Sequence, residues 1–507
     1  MNINNISVAI IGAGASGTIL ANQIIEKACN GSDVDVTVFL IEKGTEFGPG
    51  LAYSTPISSH ILNMRADTLG IEKDNSLHFV EWLKEQGDSF LMDENLKRYN
   101  KYYPPRKIYG KYLKHILDST IKKTVSGPCS VNLISGEVVD IDHNGSSIQI
   151  RMADGSHISV DNAVLAPGNF PGSFLHELKG IKGYIPYPWP VSVIKENVPR
   201  DNPVCILGAG LSAIDTLLTL LENNHRGKVT FISRRGFLPK VQGEPLNYQL
   251  KYLSEENISN ITTELNGNSL PFDMIRDLYF KEMEAAEGKN IDWLQVFNPQ
   301  DSIEKILKKD ILRAEAGVIS YQAALASTGP LSGYIWNSLS IEDRMIFDRE
   351  YKTLWTVYRH PMPLINAKRI LDALKTEQLD ILSGCMCVRT CGEKGFEIDV
   401  STRFGIPFTI KTPTVINATG QGLDVTKFND SLLNRLITRG LIEPHPNGGI
   451  YADFYTSEVR GKNGSRVKGL FALGEITRGV HFFTNGIVPN MSASDRIADN
   501  ILRSESV

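Results

Sequence analysis

The chain has 507 residues, of which 42% are apolar, 22% charged and 8% aromatic, a globular mixture long enough for two or more domains. Its 53 basic and 57 acidic residues leave a net charge of −4, so no electrostatic excess gathers nucleic acid or anionic lipid. Disorder, collagen-like repeats and coiled coil are excluded for the chain as a whole, and no apolar run approaches the roughly 20 residues of a membrane span.

The N-terminus, Met1-Asn2-Ile3-Asn4-Asn5, carries no basic region and runs directly into an apolar segment. No secretory signal is expected there, and a cytoplasmic protein with mostly reduced cysteines follows. Residues 6–11 read as a strand ending in Gly12-Ala13-Gly14-Ala15-Ser16-Gly17. Leu20, Ile24 and Ile25 then recur at helical spacing, and residues 34–41 form a second strand closed by Glu42 and Lys43. Strand, glycine turn, helix, strand and acid in that order form the fingerprint of a dinucleotide-binding fold. Residues 130–165 alternate like a β-meander, which ends at Ala166-Pro167-Gly168.

The pattern then repeats. Residues 202–207 lead into Gly208-Ala209-Gly210-Leu211-Ser212-Ala213, a helical stretch follows, and residues 228–233 form a strand ending in Ser233-Arg234-Arg235. Residues 245–375 are rich in helical spacing, Trp and Tyr, and read as an insertion or lid. A strand end matching the earlier one falls at Asn417-Ala418-Thr419-Gly420. Another strand closes in Gly474-Glu475, and a helix over 491–503 ends the chain. The expected fold is α/β, with two Rossmann-like dinucleotide-binding domains on parallel sheets, a β-meander and a helical insertion. Residues 1–195 and 401–507 would build an FAD-binding domain around an NADPH-binding domain at 196–400.

The residue types explain the cofactor assignment. A pyrophosphate must reach the backbone at a helix N-terminus, where free N–H groups and the helix dipole favour an anion. Gly12 permits the tight turn, Gly14 clears the approach past Ala15 and Ser16, and Gly17 lets helix and strand pack closely. Glu42 would accept hydrogen bonds from ribose hydroxyls. At the second turn Gly208, Gly210, Leu211 and Ser212 take the same part, but Ser233, Arg234 and Arg235 stand where the first has its acid. Guanidinium groups pair with a 2′-phosphate, which selects NADPH over NADH. Thr419 and Gly420 are candidate contacts at the matching strand end. Gly474 and Glu475 would reach the ribityl chain, with Thr484 and Asn485 at the isoalloxazine edge.

Cysteines 385, 387 and 391 lie close together without a second pair or nearby histidines, so no metal is expected. The stretch after Glu42 has no redox cysteine pair.

The chain resembles the FAD-NAD(P)-binding flavoproteins related to flavin-dependent N-hydroxylating monooxygenases, including amino-acid N-monooxygenases and FAD-dependent urate hydroxylase-like proteins. The resemblance runs from Val8 to about Leu502 and is weakest over 245–330. It rests most on residues 47–54, His60-Ile61-Leu62-Asn63-Met64, residues 105–113, Tyr187-Pro188-Trp189, Ser233-Arg234-Arg235-Gly236 and Tyr358-Arg359-His360. It implies FAD on the first fold and NADPH on the second, with Arg106 and Tyr109 on the FAD side and Asn63 and Met64 near the ring. Many relatives carry Trp-Glu soon after the Thr-Arg-Gly segment, where this chain has residues 480–485.

In such enzymes NADPH reduces the flavin, the flavin adds O₂ at C4a, and the hydroperoxide passes its distal oxygen to the substrate. The expected substrate is a small amine or amino acid; the alternatives are C-hydroxylation of a heterocycle such as a purine, or an oxidoreductase without oxygen insertion. Asn63, Arg65, His360, His481 and Asn485 are the candidates near the chemistry. Arg65 would clamp a substrate carboxylate, and the histidines would tune protonation near neutral pH.

Overall fold

The computed structural model describes residues 4–31, 34–72, 74–87, 102–125, 127–145, 147–265, 269–402 and 407–503. Met1–Ile3, Ser146 of the expected meander and the side chain of Cys385 lie outside them. The chain divides into two compact units, Met1–Phe170 with Gly422–Val507, and Pro171–Gln421.

The first unit is built on a six-stranded sheet. Its order is Glu458–Arg460, Arg466–Ala472, Asn162–Leu165, Asn4–Ile11, Val34–Glu42 and Ser130–Ser135. All neighbours run parallel except the edge strand Glu458–Arg460. The apolar run at the start of the chain is explained by burial on both faces, as parallel strands require. Ile6, Val8 and Ile10 pack with Leu20, Ile24 and Ile25 of the helix Ala15–Gly31 and with Ile497 and Ile501 of the C-terminal helix Ile487–Arg503. Ala9 and Ile11 point the other way, into a core shared with Ile141, Ile148 and Ile150.

The expected meander is shorter than its alternation suggested. Only Val138–His143, Ile148–Met152 and His157–Val160 form the three-stranded antiparallel sheet. The flanking strands Ser130–Ser135 and Asn162–Leu165 join the parallel sheet, the first beside Val34–Glu42 and the second, fully buried, between Asn4–Ile11 and Arg466–Ala472.

The second unit carries a seven-stranded sheet ordered Pro407–Thr412, Phe396–Thr402, Leu379–Thr390, Val229–Ser233, Val204–Leu207, Thr414–Asn417 and Tyr184–Ile185. Leu379–Thr390 serves two purposes. Residues 379–383 pair in parallel with Val229–Ser233, and residues 384–390 pair antiparallel with Phe396–Thr402. The domain divisions expected at 195/196 and 400/401 therefore move to 170/171 and 421/422. Tyr184–Ile185 and Thr414–Asn417 are strands of this second sheet and carry their surroundings with them.

The helical insertion begins with Glu255–Glu264 and ends with Leu364–Lys375. Its helices start where the sequence supplies caps: Ser254, Ser302 and Ser340 each accept a hydrogen bond from the backbone N–H three residues on. It is not wholly a lid. Leu307, Ile311, Ala314, Ile370 and Leu371 lie in the same core as Ile206 and Phe231 of the sheet. Leu364–Lys375 is the helix that precedes the third parallel strand, so the insertion is an enlarged crossover.

Candidate functional site

Gly12 has φ +112°, and a Cβ there would stand 2.1 Å from the carbonyl oxygen of Ala166. Its N–H donates to Ile41 C=O at 2.8 Å. A Cβ at Gly17 would meet Gly12 C=O at 2.0 Å, so helix and turn touch backbone to backbone. At Gly14 a Cβ would come within 3.3 Å of Gly50 Cα, since residues 48–50 pass over the turn, and Gly48 N–H donates to Ala13 C=O at 2.8 Å. Gly12 and Gly17 thus leave no room for a side chain, and a Cβ at Gly14 would fit only tightly beneath Gly50, an arrangement that suits a phosphate cradle at the start of Ala15–Gly31. Ala15 and Ser16 are half-buried at its mouth.

Glu42 is tied to the loop itself. Its carboxylate accepts from Ala13 N–H at 3.0 Å and from Gly44 N–H at 3.2 Å, while Lys43 beside it is exposed. A carboxylate has about four acceptor positions, so these two bonds orient Glu42 and leave capacity for ribose hydroxyls.

The C-terminal segment comes to the same place. Ser16 Oγ lies 3.8 Å and Asn490 Oδ1 3.6 Å from where a Gly474 Cβ would be. Glu475 is buried; its Oε2 accepts from Thr484 Oγ1 at 2.7 Å, and Arg478 stands 3.4 Å from Oε1. Asn490 Nδ2 donates to Thr484 C=O at 3.1 Å and to Gly486 C=O at 2.6 Å. Thr484 is therefore buried and fixed, and Asn485 next to it is exposed.

His481 does not fit the role expected of it. It packs against the Phe454 ring at 5.6 Å and faces Ser457 Oγ at 3.4 Å. Burial, aided by the nearby Arg496 cation and opposed by Asp453, pulls its pKa down to about 3. The ring is neutral throughout the physiological range and tunes no protonation near pH 7.

Asn63, Met64 and Arg106 are brought together. Leu62 N–H donates to Pro104 C=O at 2.9 Å, Arg106 N–H to His60 C=O at 2.7 Å, and Arg106 Nε to Ile61 C=O at 3.4 Å. Leu62 shares an apolar cluster with Ile19 of the first helix and Ile487 of the last, which sets Asn63 and the exposed Met64 beside the cradle elements. Arg65 is forked onto Asp67, with Nε to Oδ1 at 3.1 Å and Nη2 to Oδ2 at 3.4 Å. The bidentate face expected to clamp a substrate carboxylate is already occupied by a neighbour.

The second unit repeats the first cradle with one difference. Gly208 has φ +116°, its Cβ would stand 2.6 Å from Ala418 C=O, and its N–H donates to Ile232 C=O at 2.7 Å. Gly210 is exposed and has no atom within 4 Å of its Cβ position. It caps the helix Leu211–Glu222, whose first residues Leu211 and Ser212 are half-buried. Asn417 Oδ1 accepts from both the N–H and the hydroxyl of Thr419, at 3.1 and 2.7 Å, which fixes the strand end before Gly420. Ser233 Oγ accepts from Gly236 N–H at 3.0 Å, turning the chain after the strand so that Arg234 and Arg235 are exposed. Arg235 Nη2 donates to Glu350 C=O at 3.3 Å. His360 follows the helix Lys352–Arg359 in this unit, with its ring edge-on to Trp355 at 5.2 Å.

Sequence reasoning missed the cover over the first turn. The signal for the cover was present in Gly48-Pro49-Gly50, whose two glycines have φ +115° and +63°. Among the described residues no group of three or more His, Cys, Asp or Glu could hold a metal ion, and no helix is long and apolar enough to cross a membrane.

Residues 9–170 match a family described as FAD-NAD(P)-binding. No curated protein matches the chain in sequence. Among solved structures, it is similar to the reduced ornithine hydroxylase of Pseudomonas aeruginosa at 14% identity, covering 98% of this chain and 99% of that one, with a TM-score of 0.59. The ornithine N-hydroxylase of Kutzneria sp. 744, bearing reduced FAD, NADP⁺ and L-ornithine, has 14% identity, coverage of 99% and 100%, and a TM-score of 0.57. The L-lysine 6-monooxygenase of Pseudomonas syringae has 15% identity, coverage of 99% of each chain and a TM-score of 0.57. The chain thus matches an FAD-NAD(P)-binding family over residues 9–170 and shares its fold along nearly its whole length with these solved hydroxylases and monooxygenase.

Proposed function

We propose that the protein is an FAD- and NADPH-dependent monooxygenase that N-hydroxylates a small amine or amino acid. The observation that carries this reading is the duplicated cradle. Two glycine turns of matching geometry end in opposite chemistries, an oriented carboxylate at Glu42 and exposed guanidinium groups at Arg234 and Arg235. Ribose hydroxyls suit the first and a 2′-phosphate the second. The solved neighbours named for ornithine and lysine hydroxylation favour nitrogen as the accepting atom.

When bound, reduced flavin supplies the oxygen activation and NADPH the hydride. The chain's own residues bind and orient. Gly12, Gly14 and Gly17 clear the pyrophosphate path, and the N–H groups at the start of Ala15–Gly31 receive its charge. Glu475, Thr484 and Asn490 hold the segment before the last helix, and the half-buried Asn63 with the exposed Met64 and Asn485 are the groups offered to ring or substrate. His481, held neutral, contributes shape and an uncharged surface, not a proton. With Arg65 forked onto Asp67, a substrate carboxylate must find another cation, or the substrate lacks one.

The test is substrate-stimulated NADPH consumption across amino acids, polyamines and purines, with product analysis. Hydroxylated amine formed in step with NADPH oxidation is expected. A hydroxylated purine would move the reading to carbon, and NADPH oxidation that no substrate stimulates would overturn oxygen insertion.

A further inference from the structure

Phe482 has φ +60° and ψ −61°, and Phe483 N–H donates back to His481 C=O at 2.6 Å. This is a γ-turn of the rare positive-φ kind, in a region that a residue with a Cβ enters only under strain. Such a turn persists where its surroundings over-determine it. Here Phe482 N–H is held by Arg478 C=O at 2.8 Å and its ring is buried. On the far side Thr484 is pinned by Glu475 and by Asn490, which also binds Gly486 C=O. On the near side the His481 ring is lodged between Phe454 and Ser457. The pins lead straight to the first cradle, since Asn490 and Ser16 both border Gly474.

We infer that Phe482 is a positioning residue, its strained γ-turn presetting residues 483–486 in the conformation that receives the flavin ring. This rests on the proposed function insofar as it needs FAD on the first cradle. The turn spends folding stability to fix a short backbone segment before the ligand arrives, which lowers the ordering cost of binding.

Two variants separate strain from side-chain loss. Phe482→Ala and Phe482→Gly both remove the ring, but only alanine keeps the Cβ that is strained at this φ. In flavin-free protein Phe482→Gly should melt a few degrees above Phe482→Ala. In FAD titrations followed by flavin fluorescence Phe482→Ala, whose strained turn relaxes, should bind about tenfold more weakly than Phe482→Gly, with a visible band closer to that of free flavin. Equal FAD affinity and equal spectra for the two variants would overturn the inference while wild type still binds FAD. A wild-type protein with no affinity for FAD would overturn it together with the function it rests on. If losing the ring leaves too little folded protein, Thr484→Val cuts the pin to Glu475 at nearly constant volume. It should weaken FAD binding to a similar degree, and unchanged affinity there would equally refute the inference.

Discussion

Two turns with nearly the same residues meet different surroundings. At the first, residues 48–50 cross over Gly14, and Glu42 is bonded to the loop it serves. At the second, nothing stands within 4 Å of where a Gly210 side chain would begin, and the two arginines are exposed. The glycines that contact a crossing strand end, Gly12 against Ala166 and Gly208 against Ala418, are alike in both. The shared part of the motif builds the turn; the unshared part decides access. An enclosed turn suits a nucleotide that stays through many turnovers, and an open one suits a nucleotide that must enter and leave in each.

The largest effect should come from adding one carbon where the backbone leaves no room. Gly17→Ala sets a Cβ 2.0 Å from Gly12 C=O, and relieving that overlap costs on the order of 1–3 kcal/mol or more and distorts the cradle. The purified variant should lose most of its bound FAD and melt several degrees lower. A Gly17→Ala protein loaded like wild type would break the comparison at its closed end.

Acid should distinguish the first unit through His481. Its folded pKa of about 3 lies below the roughly 6.5 of an unfolded histidine, so the unfolded chain holds the extra proton between those limits. The neutral ring's contribution is complete above pH ~6.5 and declines as pH falls towards 3, by an amount on the order of a few kcal/mol. Melting of His481→Gln should show a shallower fall with acid than wild type. Parallel pH profiles would show that the ring is not held neutral by burial beside Arg496.

At the open turn the expected change is in affinity. Arg234→Ala should raise the KM for NADPH about 10- to 100-fold, the loss of one or two charge-assisted hydrogen bonds, with kcat and the response to NADH nearly unchanged. An equal loss with NADH would remove the 2′-phosphate from the account. Smallest of all, Gly210→Ala has open space and an ordinary φ of −84°, so its stability should stay within about 0.5 kcal/mol of wild type. A large drop in melting temperature there would mean that the second turn is also enclosed.

Both cradles could be read from the chain because their signal is local: apolar strand, glycine spacing, helix and strand-end residue lie within a few dozen positions. The strand ending at Gly474-Glu475 was equally legible. What escaped depended on contacts distant in sequence or on pairing that alternation cannot assign. Strands Ser130–Ser135 and Asn162–Leu165 alternate like a meander but are claimed by the parallel sheet. Tyr184–Ile185, two residues long, has no periodicity to detect, yet it shifts a domain boundary. Arg65 reads as a free guanidinium until Asp67 is seen folded back onto it, and His481 reads as a titrating group until Phe454 and Arg496 are seen around it.

FAD on the first turn and NADPH on the second should both be visible in one experiment. The most direct test is to reconstitute the protein with FAD and follow the flavin absorbance anaerobically against NADPH and NADH. One FAD per chain is expected, bleached rapidly by NADPH and far more slowly by NADH at equal concentration, with Arg234→Ala erasing the difference. Protein that binds no FAD, or bound flavin that neither nucleotide reduces, would contradict that assignment.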